Sequence, residues 1–187
     1  MRIASALVMA VALVAASGTV GAASKAEQQQ EIRKMEAETL TRLYKAQPTA
    51  RNAVAKAAGY AVFSNFGMKV LVIGSGTGKG VLIDNASKKP TYMRMAELQT
   101  GLGFGVKKFR LVWVFEKKSD MDKFLNSGWE LGAQSTMTAQ ASGKGADVFA
   151  GAMSVTPGVW LYQLNDDGLA VELTAKGTKY YKDSDLN

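Results

Sequence analysis

Between Ala57 and Asp84 the sequence reads AAGYAVFSNFGMKVLVIGSGTGKGVLID, and Gly74, Gly76, Gly78 and Gly80 fall on every second residue. This alternation restricts the fold more than any other feature of the chain. A period of two is one face of a β-strand, so successive positions of that face carry no side chain. Such a strand can coil sharply, or let a neighbour pack close to its backbone. Phosphate loops do not fit the spacing. A dinucleotide fingerprint, G-x-G-x-x-G, needs a glycine where Lys79 stands when counted from Gly74, and where Val81 stands when counted from Gly76. A Walker loop needs its first glycine at Ile73 and its hydroxyl at Gly80. The residues after Gly80 continue as Val-Leu-Ile, a strand and not a helix N-terminus that could hold a phosphate. No nucleotide is expected.

The remaining pattern places elements on both sides of this stretch. Met1-Arg2, an apolar run Ile3–Ala16 and the small residues up to Ala23 read as a tripartite signal peptide over 1–23, with cleavage expected after Ala22 or Ala23 and an uncleaved anchor as the alternative. Residues 24–47 read as an N-terminal helix, with Ile32, Met35, Leu40, Leu43 and Tyr44 in one broad stripe. Its polar face mixes charges of both signs, as expected of a helix docked on a core rather than on a membrane. Pro48 restarts a short helix that Gly59 ends. Strands are expected at Tyr60–Phe66, Lys69–Gly76, Gly80–Asp84, Tyr92–Leu98 and Gly101–Phe115. Ser119 opens a helix to about Asn126, and another strand runs from Gly128 to about Ala139. Asp147–Met153 fits a short helix or a strand equally well. Val159–Leu164 and Leu169–Thr174 form a hairpin around the turn at 165–168, and a last strand lies at Thr178–Tyr181. The fold class is α+β, a single domain over 48–187 with a mainly antiparallel, barrel-like sheet, N-terminal helices and one helix between strands.

With neither cysteine nor histidine, thiol nucleophiles, disulfides, Ser-His-Asp triads and His-bound zinc are excluded together. Asp166-Asp167 sits in a turn and Asp183-x-Asp185 in a polar tail, so neither reads as an acid/base pair. Trp113, Trp129 and Trp160 lie within apolar strand patterns and read as core. No enzyme, metal or cofactor is expected. The balance of 23 basic against 16 acidic residues, a formal +7, points instead to anionic surfaces. Lys69, Lys79, Lys88, Lys89, Lys107, Lys108 and Arg110 are the candidate contacts, and Lys117-Lys118 close the central strand at its other end. Each basic residue near a charged membrane contributes about 1 kcal/mol. Nucleic acid is not expected, because the export signal opposes it and no aromatic-basic interleaving marks a stacking platform.

Gly59-Tyr-Ala-Val-Phe63, the Gly-x-Gly run into Val81 and the second run at Gly101, Gly103 and Gly105 together resemble the SYLF family of lipid-binding domains. Phe124, Leu131-Gly132-Ala133, Asp167-Gly168-Leu169-Ala170 and Tyr180-Tyr181 follow in the same order, so the likeness covers roughly 48–182. Ser64 stands where the family usually has proline, and Lys107-Lys108 stand where it often has Asp, the pattern of a divergent bacterial branch. The resemblance implies a non-enzymatic module that binds anionic phospholipid, here exported to the periplasm or secreted and peripheral to a membrane. The alternative is a structural or protein-interaction module of the cell envelope with an envelope protein partner and no lipid ligand.

Overall fold

The computed structural model describes residues 23–70, 73–100, 105–126, 130–131, 149–166, 168–169 and 178–187; along 65–70, 73–76, 97–100, 105–108 and 130–131 it describes the backbone alone. The signal-peptide cleavage region, Gly101 and Gly103, Trp129, the expected strand beyond Leu131, the 141–145 loop and the hairpin beyond Leu169 lie outside the described residues.

Among the described residues, three helices, α1 (Lys25–Ala46), α2 (Ala50–Lys56) and α3 (Lys118–Asn126), accompany nine strands. These are β1 (Gly59–Val70), β2 (Ile73–Asp84), β3 (Pro90–Thr100), β4 (Gly105–Phe115), β5 (Glu130–Leu131), β6 (Met153–Thr156), β7 (Val159–Asn165), β8 (Gly168–Leu169) and β9 (Thr178–Lys182). They form one antiparallel sheet, curled into a half-barrel, in the order β5-β9-β3-β2-β1-β4-β7-β6, with β8 paired to β7. β1 is the pivot, bonded along nearly its whole length to β2 on one edge and β4 on the other.

Expected boundaries failed at the glycines. The strands expected at Tyr60–Phe66 and Lys69–Gly76 are divided elsewhere, because β1 runs through Gly67 to Val70 and the chain reverses between Val70 and Ile73. β2 then carries the alternating glycines within one continuous strand. Glycine punctuates a strand only when its backbone leaves the ladder, and here the ladder is unbroken from Gly59↔Asp84 to Val70↔Ile73.

The glycines leave room for side chains reaching over from the neighbouring strands. A Cβ on Gly80 would meet the Phe63 ring and lie 2.5 Å from the Val62 carbonyl oxygen, and one on Gly78 would lie 2.5 Å from Met95 Cγ. Phe63 and Met95 are the register partners of Gly80 and Gly78. On this concave face Phe63, Met95, Leu111, Trp113, Phe115 and Tyr180 pack around α3. Phe124 of α3 sits at the centre, its ring 5.4 Å from Trp113, 5.0 Å from Phe115 and 5.1 Å from Tyr180.

The convex face is covered by α1 and α2. Leu43, Ala53, Val54, Val62, Val112, Val114 and Tyr162 are buried there, and Ile32 joins Val81, Ile83 and Tyr92 nearer the start of α1. Trp160 is stacked on Phe149 at 4.4 Å and 8°. α1 opens with a capping box, in which Ser24 Oγ accepts from Glu27 N at 3.2 Å and Glu27 Oε2 accepts from Ser24 N at 2.7 Å. α3 begins at Lys118, one residue before the expected cap, so Ser119 lies inside the helix. The ambiguous stretch ends in a strand, β6, which turns through Pro157-Gly158 into β7, with Gly158 at φ 85°.

Candidate functional site

Pairing registers line up one row of residues across the sheet. Arg110 faces Ser64, Ser64 faces Lys79, Lys79 faces Arg94 and Arg94 faces Tyr181. All belong to the face over which α1 runs, and its side chains meet Arg110 and Lys79 of this row. Arg110 donates from Nη1 to Thr39 Oγ1 at 3.0 Å and reaches Glu38 Oε2 at 3.5 Å. Lys79 Nζ donates to Gln28 Oε1 at 2.9 Å. Arg94 donates to Asp183 Oδ2 at 2.7 Å and to Asp185 Oδ2 at 2.8 Å, and the Asp183 bond raises its already high pKa. Arg110 and Arg94 are thus cations already paired with carboxylates, and part of what fixes α1 and the C-terminal turn to the sheet. The acidic tail residues Asp183 and Asp185 form this latch.

Lys88 and Lys89 are differently placed. They end the tight turn between β2 and β3, where Asp84 Oδ1 accepts from Ala86 N at 2.8 Å and from Ser87 N at 3.1 Å. Those two bonds, the Ser87 bond first, hold the Asp84 carboxyl below its usual range. Asn85 Nδ2 donates to Val54 O at 2.8 Å and Ala57 O at 2.9 Å, satisfying carbonyls at the end of α2 that the helix itself leaves open. Lys88 has φ 58°, a left-handed conformation that this braced turn maintains. Both lysines are exposed, and neither forms an ion pair among the described residues.

Three more lysines share this end of the sheet. Lys56 closes α2 beside Asn85, and Lys117 and Lys118 follow the end of β4, which abuts Ala58 through Ala58 N→Phe115 O at 2.8 Å. Lys118 is engaged with Asp122 at 2.9 Å and lies 3.9 Å from Asp84. Lys56 and Lys117 have no such partner among the described residues. The sequence offered Lys117-Lys118 as a strand end, but only the pairing of β1 with both β2 and β4 brings them beside Lys88-Lys89.

The other candidates lie at the far end of the ladder. Lys69 is opposite Gly74 and Gly105, Lys107 opposite Gly67 and Lys108 opposite Phe66. Counting along β1 from Gly59 to Lys69 at about 3.3 Å per residue, the two ends are roughly 30 Å apart. Lys107 and Lys108, as consecutive strand positions, belong to opposite faces of the sheet. The seven candidates therefore do not make one patch.

Among the described residues, no group of three or more acidic side chains could hold a metal ion, and no helix is long and apolar enough to cross a membrane. One buried carboxylate, Glu36, accepts from Tyr60 Oη at 2.7 Å and pairs with Arg33 at 2.5 Å. Burial first, and then the Glu36 bond, push the Tyr60 phenol far up.

No family model matches the chain. Over 147 residues it is 34% identical to Beta cell expansion factor A of Aeromonas veronii, a match that takes in 79% of this chain and 54% of that protein. The chain thus spans about half the length of the curated relative to which this similarity ties it.

Proposed function

We propose that this chain is an exported, non-enzymatic module of the SYLF lipid-binding class that docks on anionic phospholipid through the lysines at one end of its sheet. The observation that supports it most is the braced β2–β3 turn, which presents Lys88 and Lys89 with no ion-pair partner among the described residues, beside Lys56 and Lys117. A fixed turn loses little conformational freedom on binding, so its charges act together. The order of glycine and aromatic motifs over 48–182 supports the family assignment. The signal-peptide pattern over 1–23 supports a periplasmic or secreted protein, peripheral to a membrane.

The test is sedimentation with vesicles containing phosphatidylglycerol against neutral vesicles. At about 1 kcal/mol per basic residue at the surface, changing Lys56, Lys88, Lys89 and Lys117 to Gln is expected to weaken binding by roughly 1,000-fold at low salt. The same four-charge change at Lys34, Lys45, Lys179 and Lys182 should cost far less. Equal losses would leave only a general field. Absence of any vesicle binding by folded protein at low salt would favour the envelope protein-interaction module instead.

A further inference from the structure

A groove of about 600 Å³ lies between α1 and the sheet, beside Lys79, within the roughly 300–1,000 Å³ range of small-molecule sites. Its two sides differ in chemistry. Ile32 and Met35 of α1 line one side. Tyr181 of β9 also lines it and is the one large apolar side chain left exposed among the described residues, at 39%. The sheet side supplies hydrogen-bond donors from neighbouring register positions, the hydroxyls of Ser64 and Thr77 with Lys79 and Arg94.

Donor capacity remains on both cations. Among the described residues the Lys79 ammonium meets only the neutral amide of Gln28, and an ammonium has further N–H groups to give. Arg94 uses Nε and Nη2 on Asp183 and Asp185, with no partner at Nη1 among the described residues, and its side chain is 42% exposed. Acidic groups bear on the site too. Asp183 and Asp185 offset the charge of Arg94, and exposed Glu31 stands at the rim. Net attraction for an anion therefore comes from Lys79, and Glu31 opposes it.

We propose that this groove holds one single-chain anionic lipid, its phosphate on Lys79 and Arg94 and its chain along Ile32, Met35 and Tyr181. The inference rests on the lipid-binding reading but names a different site from the lysines of the β2–β3 turn. A phosphate has enough acceptor oxygens to take the ammonium, the guanidinium and a hydroxyl at once, and charge-assisted bonds of this kind are the strong ones.

Calorimetric titration of the folded protein with dodecyl phosphate, inorganic phosphate and dodecyl maltoside, the two amphiphiles kept below their micellar concentrations, tests it. Dodecyl phosphate is expected to bind one to one, at least tenfold more tightly than the other two. Lys79→Gln should weaken it about tenfold, Glu31→Gln should tighten it about threefold, and Met35→Trp should block it by filling the groove. Inorganic phosphate binding as well as dodecyl phosphate would make this a free-anion site and overturn the lipid assignment. Equal binding of dodecyl maltoside would remove the role of the cations and overturn it as well. So would unchanged affinity in both Lys79→Gln and Met35→Trp, each first shown to be folded, since Met35 also packs against the buried core under α1. Vesicle sedimentation of the same variants separates the two readings. Vesicle binding that persists without one-to-one dodecyl phosphate binding would refute the groove alone, and loss of both would refute both.

Discussion

Gly80→Ala is the sharpest test of how the alternating glycines act. The added Cβ would press on the Phe63 ring and sit 2.5 Å from the Val62 carbonyl oxygen. The ring could turn away at some cost. The carbonyl cannot, because β1 is bonded to β2 and β4 on its two edges. Overpacking of this kind costs about 1–3 kcal/mol, and an obstructing backbone atom places Gly80→Ala near the upper end. For a chain of this size about 1 kcal/mol moves the melting midpoint by roughly 2–4 °C, so a fall of roughly 6–12 °C is expected by calorimetry. The double variant Gly80→Ala/Phe63→Leu isolates the ring's share. Its loss should be smaller than the sum of the two single losses by about 1 kcal/mol, with the carbonyl conflict persisting. A folded Gly80→Ala protein with an unchanged midpoint would refute the reasoning, as would strict additivity of the pair.

Other outcomes follow from bonds around the convex face. Asn85→Ala removes two bonds to the end of α2 and should lower stability by about 1–3 kcal/mol in urea titration, because Val54 O and Ala57 O lose their partner. Tyr60→Phe and Tyr162→Phe should differ in sign. The first strips Glu36 of a buried donor and destabilises, whereas the Tyr162 hydroxyl is buried without a partner among the described residues and its removal should be neutral or stabilising. Burial pushes the Tyr162 phenol up to about 12. With the folded value above the unfolded one near 10, its contribution is complete below pH 10 and is lost as pH rises towards 12. Tyr162→Phe should therefore flatten the fall in stability between pH 10 and pH 12; an unaltered slope would assign that limb to other groups.

Much of this architecture could be read from local pattern. The α1 stripe, the apolar run Leu111–Phe115 and the turn before Gly168 each lie within a single element, where periodicity and turn chemistry decide the outcome. The break expected near Gly67 failed because a glycine that stays in the ladder looks the same in sequence as one that leaves it. The capping box at Ser24–Glu27 is legible as Ser-x-x-Glu ahead of an apolar stripe, whereas the weaker Ser-x-x-Asp pattern at Ser119 falls inside α3. The candidate surface was legible only in part. Sequence shows which residues are basic, but not that Glu38 and Thr39 engage Arg110, or that Asp183 and Asp185 hold Arg94. Those pairings span long stretches of chain and exist only once α1 and the C-terminal turn have docked. Conversely, Lys56, Lys88 and Lys117 are remote in sequence and become neighbours because β1 pairs with both β2 and β4.

The position of β9 also sets an order of assembly. Strands β1 to β4 are contiguous in sequence, and a growing chain can pair them as soon as Phe115 is available. The outer edge of β3 has no such neighbour, since Met93–Glu97 pair with Thr178–Lys182, far downstream in the sequence. Until those residues arrive, the β3 edge presents unsatisfied backbone groups next to Met93 and Met95, and the concave core lacks Tyr180. An open edge beside apolar side chains is a template for pairing with another chain. The β3 edge therefore stays aggregation-prone until residues 178–182 are made, and these residues both complete the core and close the edge.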